Sequence, residues 1–498
     1  MTKREIAIIG AGPGGLAAGM LLSSWGYDVQ VYEKQPFVGG RTSQKQVGRY
    51  TFDRGPTFFS MPHILDRLFQ AAGHSLHEEV QLKTVEPMYE LQFPEVSLYP
   101  SNDQDATRAE IARKFPGEEL GFDRYMTETE RKWEKLLPML QSEHGALVDY
   151  LRPQTLKALP HLSLGRSLYG ELARFFYSET LRLAFTFQSK YLGMSPWECP
   201  GAFSILSFME HKYGMYHPVG GMHQLSEAMR RVIEAHGGVV HTDCGVEHIE
   251  TKNSQIQVLH FADGSTASPD HVVLNADAAH AFSNLFDQPV SKAWHPDKVA
   301  EKSYSCSTFM MYAGVKKTFN EPHHKIVFSS NYKENVEDIA KRKVLSDDPS
   351  IYIQNGAVTD DTLSPKGTTP LYILAPVPNN ESGIDWENEA PAFQEKLFDM
   401  IAKKTTYGDL RPYIEELEII HPGNWEAEHW IYQGATFSLG HQLKQMMYFR
   451  PHNDFSGIGN LWLTGGGTHP GSGLPTIFES ARITAEKIEQ RHGIWRET

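Results

Sequence analysis

The sequence predicts an α/β fold in which one parallel sheet is built from separate parts of the chain and a mixed-sheet region is inserted between them. Two observations lead to this prediction. Residues 6–32 alternate a strand, a glycine-rich turn, a helix and a second strand, and residues 461–490 hold a further strand, glycine-rich loop and helix. A βαβ unit belongs to a parallel sheet covered by helices. Because no flexible linker separates contiguous domains, we expect both ends of the chain to join one discontinuous, Rossmann-type domain.

The N-terminal elements follow from their residue types. Residues 6–9 are an apolar run typical of a short buried strand, and residues 10–15 form a tight turn. Residues 16–25 have helical composition, and Gly26 marks the helix end. Residues 28–32 predict the second strand. The glycine-rich turn therefore stands between the end of a strand and the start of a helix.

The rest of the chain divides by its periodicity. Residues 107–192 are mostly helical by composition, and residues 304–450 mix short strands with helices and turns. The other predicted elements are a helix at 224–235, alternating strands over 239–259, and strands at 272–274, 307–314, 370–375 and 461–463. A glycine-rich loop at 465–473 then leads into a last helix at 476–490.

The composition excludes several classes of protein. The 498 residues are 40% hydrophobic and 22% charged, as in ordinary globular proteins, and the formal net charge of −14 argues against a nucleic-acid partner. The three cysteines are widely spaced, so we expect neither a metal site nor a disulfide framework. No run of about 18 apolar residues occurs, so no transmembrane helix is predicted. The glycine pattern near the N-terminus favours a nucleotide loop over a signal peptide.

The glycine-rich turn has the residues that a dinucleotide site needs. Gly10, Gly12 and Gly15 match the pattern GxGxxG, and Gly14 adds a fourth glycine. These glycines permit a tight turn, a close approach of backbone to pyrophosphate, and close packing of helix on strand. Phosphate then lies at the positive end of a helix. Glu33, 23 positions after Gly10, stands where a carboxylate binds the adenosine ribose.

Two further motifs carry a family resemblance. Gly39-Gly40-Arg41 and Phe52-Asp53-Arg54-Gly55-Pro56-Thr57 resemble the FAD-binding signature of the superfamily of amine oxidases, protoporphyrinogen oxidases and phytoene desaturases. The resemblance implies FAD as the cofactor. It places Gly40 and Arg41 beside the FAD pyrophosphate, where a permanently charged guanidinium suits the phosphates. It places Pro56 and Thr57 beneath the flavin.

A C-terminal motif makes the resemblance more specific. The stretch from Leu463 to Pro475 resembles the closing motif of bacterial carotenoid desaturases of the phytoene desaturase type. In that family the motif passes along FAD and ends at a helix beside the flavin ring. Gly466 stands where many superfamily members have an acidic residue, so we assign no carboxylate contact there. The FAD-binding residues that the resemblance implies in the later segments are Val246, Gly465, Gly466, Gly473, Leu474, Pro475 and Thr476.

The resemblance covers nearly the whole chain and implies its domain organisation. The FAD-binding domain is expected in three parts, and the inserted substrate domain, which carries a mixed sheet, in two parts. A helical region suited to membrane contact lies between them. The predicted limits are 1–85, 216–290 and 455–498 for the FAD-binding domain, 86–105 and 291–454 for the substrate domain, and 106–215 for the helical region.

Four stretches resemble desaturases of the thirty-carbon precursor dehydrosqualene (4,4'-diapophytoene). They are residues 187–196, 304–307, 450–453 and 472–475. The resemblance implies successive dehydrogenation to conjugated diapocarotenes, with hydride transfer to the flavin. Four alternatives stay open: a desaturase of forty-carbon phytoene, an oxygenase of terminal methyl groups of diapocarotenes, an amine oxidase-like flavoenzyme with a polar substrate, and a flavoprotein or lipid carrier without enzyme activity. The oligomeric state, the number of steps and the terminal electron acceptor are also open.

Three side chains are candidates for the proton acceptor. Glu210 and His217 flank a segment expected near the substrate, and His469 lies in the closing motif. Each is equally able to be a structural polar group, and water is an alternative acceptor. Aromatic and methionine residues that line a tunnel or form core are Phe175, Phe176, Phe185, Phe187, Tyr191, Phe203, Phe208, Met209, Tyr213 and Met215.

A hydrophobic polyene substrate dissolves in membranes, so the enzyme must reach a bilayer. Residues 162–191 are rich in aromatic residues and contain basic residues that suit anionic head groups. The same composition suits a solvated helix with one core face, and both interpretations stay open. We expect a cytoplasmic protein that associates peripherally with the cytoplasmic membrane. The four basic residues are Arg166, Arg174, Arg182 and Lys190.

Overall fold

The two ends of the chain share one parallel sheet, which confirms the predicted discontinuous α/β fold. The computed structural model describes residues 3–492, apart from the side chains of Leu147 and Tyr191. Every pair of neighbouring strands in this five-stranded sheet is parallel. Its strands, in spatial order, are Leu461–Leu463, His271–Leu274, Glu5–Ile9, Asp28–Tyr32 and Val239–His241.

The first helix, Pro13–Ser24, is buried on nearly all sides. It packs between the last helix, Leu474–His492, and helix His223–Ala235. Only small and apolar side chains fit such a position, and its sequence is PGGLAAGMLLSS. A Cβ on Gly19 would lie 3.1 Å from Ile8 Cδ1 on the sheet side. The helix begins earlier than predicted, because proline is favoured in the first helical turn.

The second large sheet of the structure is a mixed sheet of seven strands. Its strand Ser307–Val315, which is second from one edge, is buried at all nine positions, which explains its continuous apolar sequence. One face packs on helix Trp386–Lys404 through an apolar cluster that includes Phe309 and Phe393. The strands in spatial order are Ile414–Ile420, Ser307–Val315, Thr369–Val377, Ile351–Asn355, His324–Val327, Glu90–Gln92 and Ser97–Leu98.

Three small sheets connect the larger ones. The predicted alternation over residues 239–259 becomes three strands, two of which form an antiparallel hairpin. The first small sheet contains Val246–Lys252, Gln255–Phe261 and Thr266–Ala267; the second contains Gln44–Val47 and Tyr50–Asp53; the third contains Leu82–Thr84 and Tyr216–Pro218.

The helical region follows strand Ser97–Leu98 and precedes strand Tyr216–Pro218 in sequence. Its longest helix, Glu119–Leu140, buries an apolar stripe that includes Tyr125 and Trp133. The other α-helices of the described chain are Pro62–Ala71, Leu76–Glu79, Gln104–Lys114, Pro153–Ala158, Leu168–Leu172, Glu179–Ala184, Ile205–Tyr213, Ala278–Asn284, Pro296–Ala300, Tyr332–Glu337 and Pro422–Ala427. Within residues 3–492, none of the helices has both the length and the apolar composition to cross a bilayer.

The hairpin that follows the first βαβ unit packs directly on the mixed sheet. Tyr50 is fully buried, and its ring covers Gly314 in strand Ser307–Val315. A Cβ at Gly314 would lie only 2.3 Å from Tyr50 Cδ2. The absence of a side chain at this position therefore lets the N-terminal segment and the mixed sheet come into contact.

We predict that Gly314→Ala destabilises the protein by about 1–3 kcal/mol, because the new methyl group overpacks the contact with the rigid Tyr50 ring. Urea unfolding followed by far-UV circular dichroism measures the loss. Gly467→Ala is the control, since the nearest atom to its Cβ would be Ala278 Cβ at 3.8 Å and its backbone needs no positive φ. Equal unfolding midpoints for Gly314→Ala and the unmodified protein would contradict this account.

Candidate active site

One cavity runs from the N-terminal glycine loop to the face of the mixed sheet. Its volume is ≈ 460 Å³, which lies in the range of small-molecule and cofactor sites. At one end it is lined by backbone of residues 9–14, 275–277 and 465–466. At the other end it is lined mainly by apolar and aromatic side chains from the helical region and the sheet. The cavity thus joins a backbone-rich compartment to an apolar chamber.

The glycine loop is packed around the side chain of Asn275. Its amide Nδ2 donates a hydrogen bond of 3.0 Å to the Gly10 carbonyl. A Cβ on Gly12, Gly14 or Gly465 would lie within 2.6–2.8 Å of the Asn275 side-chain amide. Three chain segments therefore meet with no room for side chains, and their backbone faces the cavity. The strand at 272–274 was predicted, but this contact of the residue that follows it was not.

Glu33 closes the far end of this compartment. Its carboxylate accepts hydrogen bonds from the backbone N–H of Ala11 at 2.8 Å and of Gln35 at 2.9 Å. Burial raises the pKa of Glu33, and the two hydrogen bonds oppose that rise. The carboxylate lines the cavity together with Val246 from the neighbouring hairpin. Its position at the end of the second strand suits a ribose hydroxyl as ligand.

Arg41 brings a buried cation to the same compartment. Its guanidinium donates to the Thr436 carbonyl and, at 3.4 Å, to Ser438 Oγ. Ser438 in turn donates to Asp277 at 3.1 Å. Asp277 also accepts from the N–H of His280 and so caps the helix Ala278–Asn284. The guanidinium is thereby held at the cavity wall, where it can bind a phosphate.

The closing loop is fixed from behind by Arg450. This side chain is 1% exposed, and it donates to the carbonyls of Gly466 at 2.6 Å and Thr468 at 3.2 Å. Burial lowers its pKa to about 10, so it stays charged at neutral pH. The Ser472 N–H donates to His441 Nε2 at 3.1 Å. Arg450 lies in residues 450–453, one of the four stretches that resemble dehydrosqualene desaturases, but its structural role was not predicted.

The structure brings most of the predicted FAD-binding residues to one cavity. Two of them stand back from the cavity lining among the described residues: Gly15 packs on the Gly10 carbonyl, and the Thr476 hydroxyl donates to the carbonyls of its own helix start. Those that line it are Gly10, Gly12, Gly14, Glu33, Gly40, Arg41, Pro56, Thr57, Val246, Gly465, Gly466, Gly473, Leu474 and Pro475.

The tunnel candidates divide into cavity and core. Phe187, Met209 and Met215 line the apolar chamber. Aromatic residues of the same segment pack on one another behind it, as Phe176 and Phe185 do with stacked rings 4.7 Å apart. The remaining candidates that pack in the core or against it are Phe175, Phe203, Phe208 and Tyr213. Tyr191 was also predicted, and its side chain lies outside the described part of the chain.

Of the three predicted proton acceptors, the structure places Glu210 at the cavity. It is 4% exposed, and its Oε2 accepts from the Tyr89 hydroxyl at 3.0 Å and from Gln188 Nε2 at 2.6 Å. His217 and His469 do not belong to the cavity lining that the described residues form. Their side chains have other partners.

Each histidine side chain fixes another group of the protein. His217 fixes a buried carboxylate, and His469 fixes a backbone carbonyl. His217 Nε2 donates to Asp360 at 3.0 Å, and Asp360 also accepts from the N–H of Gly220. His469 Nε2 donates at 2.8 Å to the carbonyl of Ser142 in the helical region. Burial lowers the pKa of His469 to about 4, so it is neutral at pH 7. These contacts fit structural polar groups, which was the alternative interpretation for each.

Two polar groups of the chamber were not predicted to act there. Lys190, expected at a membrane surface, lines the cavity, and its Nζ lies 4.8 Å from the Tyr332 ring centroid. Burial lowers the pKa of Lys190 to about 7. The Tyr352 hydroxyl lies 2.7 Å from both Thr57 Oγ1 and His324 Nδ1. Burial lowers the pKa of His324 well below its ordinary value. Their separation along the chain hid them from sequence reasoning.

The arrangement fits FAD. Glycine backbone at the start of a helix can receive the pyrophosphate, the carboxylate of Glu33 can bind the ribose, and the guanidinium of Arg41 can bind a phosphate. The packing leaves no Cβ where the backbone faces the cavity, which is the space a pyrophosphate needs. This FAD site opens into an apolar chamber, and the two features together define the protein as an FAD-dependent oxidoreductase. Comparison with known proteins agrees with this class.

The family described as flavin containing amine oxidoreductase matches residues 13–489. The chain is 41% identical over 491 residues to a 4,4'-diapophytoene desaturase (4,4'-diapolycopene-forming) from a Methylomonas species, covering 99% of this chain and 96% of the relative. It is 33% identical to a zeta-carotene-forming phytoene desaturase from Myxococcus xanthus, covering 97% and 94%. The chain therefore belongs to the flavin containing amine oxidoreductase family, among its carotenoid desaturases.

Solved structures share the fold at low identity. An oxidoreductase from Methanosarcina mazei superposes with a TM-score of 0.62 at 17% identity, covering 97% of this chain and 100% of that one. At this identity the likeness concerns the fold alone. The mixed sheet and the parallel sheet thus recur together in proteins of distant sequence.

We predict that Gly15→Ala weakens FAD binding about 30-fold or more, since a Cβ there would lie 2.3 Å from the Gly10 carbonyl and such overpacking costs about 2 kcal/mol. The flavin absorbance of the purified protein and fluorescence titration of the apoprotein measure the change. Gly19→Ala in the same helix is the control, because its Cβ would meet side-chain ends rather than backbone, namely Ile8 and Ile233 Cδ1 at 3.1 Å and Val29 Cγ1 at 3.6 Å. Wild-type FAD affinity in Gly15→Ala, with normal circular dichroism, would contradict the packing argument.

Proposed function

We propose that the protein is an FAD-dependent desaturase that dehydrogenates dehydrosqualene (4,4'-diapophytoene) successively to conjugated diapocarotenes. The observation that carries this proposal is the continuity between the glycine-lined compartment and the apolar chamber. A hydrocarbon has no polar handle, so burial of apolar surface, worth about 25 cal/mol per Å², must supply its binding energy. The identity to a thirty-carbon desaturase supports this substrate over forty-carbon phytoene.

The chain's own residues would divide the work between the two compartments. We propose that Arg41 and the N–H groups around Gly12 and Gly14 hold the pyrophosphate, and that Glu33 holds the ribose. Pro56, Thr57 and residues 473–475 would position the ring system. When bound, FAD supplies a hydride acceptor for an allylic C–H bond. The apolar lining, which includes Met209 and Met215, would orient the polyene and exclude water.

The proton released with each new double bond needs an acceptor inside the chamber. We propose that Lys190 takes it. Its amine lies in the cavity wall, packed against the rings of Tyr332 and Phe328, and about half of it is deprotonated near pH 7. Glu210 is the second candidate, because it lines the same chamber. Its Oε2 already accepts hydrogen bonds from Tyr89 and Gln188, so this oxygen is engaged by protein groups.

We also propose that the protein works in the cytoplasm as a peripheral protein of the cytoplasmic membrane. The proposed substrate partitions into bilayers, so the apolar chamber must be supplied from one. No membrane-spanning helix is needed for such an encounter.

The reaction is tested by mixing the FAD-loaded protein anaerobically with dehydrosqualene in liposomes. We expect loss of the oxidised flavin absorbance together with absorption at longer wavelength from a more extended polyene, since each flavin accepts the hydride of one desaturation. Phytoene in the same liposomes is the control, and we expect slower flavin reduction with it. Incubation with a diapocarotene in the presence of oxygen tests the alternative, and product masses that gain oxygen would assign terminal-methyl oxygenation instead. Unchanged flavin with verified substrate loading would contradict the proposal.

The pH dependence tests the role of Lys190. We expect kcat/KM for dehydrosqualene to rise with pH and level off above about 7, because only the neutral amine accepts a proton and the neutral fraction grows as pH rises through the pKa of about 7. Lys190→Met should lose this rise and about 100-fold or more in rate. Glu210→Gln should keep the rise. If Glu210→Gln loses the rise and Lys190→Met keeps it, the assignment to Lys190 is wrong.

A further inference from the structure

Exposed apolar side chains cluster on one surface of the protein. Of the fifteen large hydrophobic residues that are exposed in the described chain, eight lie within residues 148–164 and 443–449. Leu151 is 69% exposed, Val148 66%, Leu164 61% and Phe449 58%. Single exposed apolar residues are normal on a protein surface, whereas a concentration of this kind marks an interaction site. We call these two segments the docking surface.

The two segments of the docking surface are neighbours in space. The rings of Tyr150 and Tyr448 lie 6.5 Å apart and join one end. At the other end, Leu164 and Leu443 line one shallow groove. The apolar residues thus belong to a single continuous patch, although about 280 positions separate the segments in sequence.

The charge of the docking surface is opposite to that of the whole protein. Residues 147–166 contain three Lys or Arg residues and one Asp, and residues 443–449 contain one Lys and no acid, while the chain carries a net charge of −14. Asp149 is buried and pairs with Arg152 at 2.6 Å. Glu198, which lines the groove, pairs with Lys341 at 3.2 Å. The basic residues of this surface are Arg152, Lys157, Arg166 and Lys444.

Apolar side chains ringed by cations suit one partner, the interface of an anionic bilayer. Leucine, valine and phenylalanine enter the acyl boundary, and lysine and arginine stay with the phosphates. An acidic protein approaches an anionic membrane only through a locally basic face, because its net charge repels the membrane elsewhere.

The docking surface adjoins the closing loop of the cavity. Phe449 is followed directly by Arg450, which holds the Gly466 carbonyl at the cavity wall. Behind the other segment, the Ser142 carbonyl accepts from His469 of the same loop. A bilayer on this face would therefore lie beside the segments that form the cavity wall.

The first segment of the docking surface lies within the helical region 106–215, which was expected to suit membrane contact, but mostly before residues 162–191. Within residues 162–191, Arg174 pairs with Glu171 and Glu128, Arg182 donates to the carbonyls of Phe176 and Tyr177, and Lys190 lines the cavity. These three cations are engaged by protein groups. Arg166 also pairs with Glu171, at 3.6 Å, but its side chain is exposed and lies at the edge of the docking surface, in the groove that Leu164 and Leu443 line.

We propose that the docking surface, residues 148–164 and 443–449, seats the protein on a bilayer that contains anionic lipids. The membrane encounter of the proposed function would take place at this surface. Binding of the protein to a membrane can be tested without substrate and without turnover. It therefore stands or fails separately from the desaturase assignment.

The test is flotation of the full-length, FAD-loaded protein with vesicles of phosphatidylcholine, alone or mixed with phosphatidylglycerol. We expect the protein to float with the anionic vesicles and to be released by high salt. The double variant Leu151→Ser, Phe449→Ser should bind at least about tenfold more weakly. The double variant Lys157→Glu, Lys444→Glu should lose the preference for anionic vesicles, about fivefold for each charge removed.

Matched variants elsewhere on the surface are the controls. Tyr177→Ser removes a ring that is 85% exposed, and Lys366→Glu reverses an exposed charge, both outside the docking surface, so both should float like the unmodified protein. Retained flavin absorbance shows that each variant is folded. Equal flotation of the docking-surface variants, or equal loss in the controls, overturns the proposal. A dimer in light scattering that Leu151→Ser, Phe449→Ser converts to monomer, without flotation, assigns the surface to a second copy instead.

Discussion

The structure depends on the close approach of three backbone segments around the side chain of Asn275. The first glycine loop, the turn after strand His271–Leu274 and the closing loop at Gly465 meet there. Gly14 would place a Cβ 3.1 Å from Gly465 Cα, so any side chain would push these segments apart. This single constraint joins the two ends of the chain and leaves N–H groups facing the cavity rather than covered by side chains.

The same constraint explains how an inserted domain can share a cavity with the parallel sheet. Because the sheet is assembled from segments far apart in sequence, the chain leaves it and returns to it, and the mixed sheet forms from two of the excursions. The hairpin at Tyr50–Asp53 packs on Gly314 of that sheet, and Pro56 and Thr57 follow directly along the cavity wall. A charged cofactor site and an apolar chamber thus become two ends of one space.

Sequence reasoning reached the parts of this arrangement that are local in the chain. The glycine pattern, Glu33 and the closing motif are each continuous stretches, and the strands at 28–32 and 461–463 have the predicted limits. It could not reach contacts between distant residues. In the sequence, Lys190 is one of four basic residues in an aromatic-rich segment. Its contact with the Tyr332 ring arises only from the fold. His469 stands in the flavin motif, yet its ring points to the Ser142 carbonyl of the helical region.

The central claim is that one cavity holds FAD and a hydrocarbon end to end. The most direct test is a crystal structure of the FAD-loaded protein with squalene. Squalene is an analogue of the proposed substrate in which the central carbon–carbon bond is saturated. The account predicts flavin density bounded by Pro56, Thr57 and Leu474, with hydrocarbon density that starts at the ring and passes Met209 and Lys190. Squalene bound elsewhere, or a wall of side chains between flavin and hydrocarbon, would contradict it.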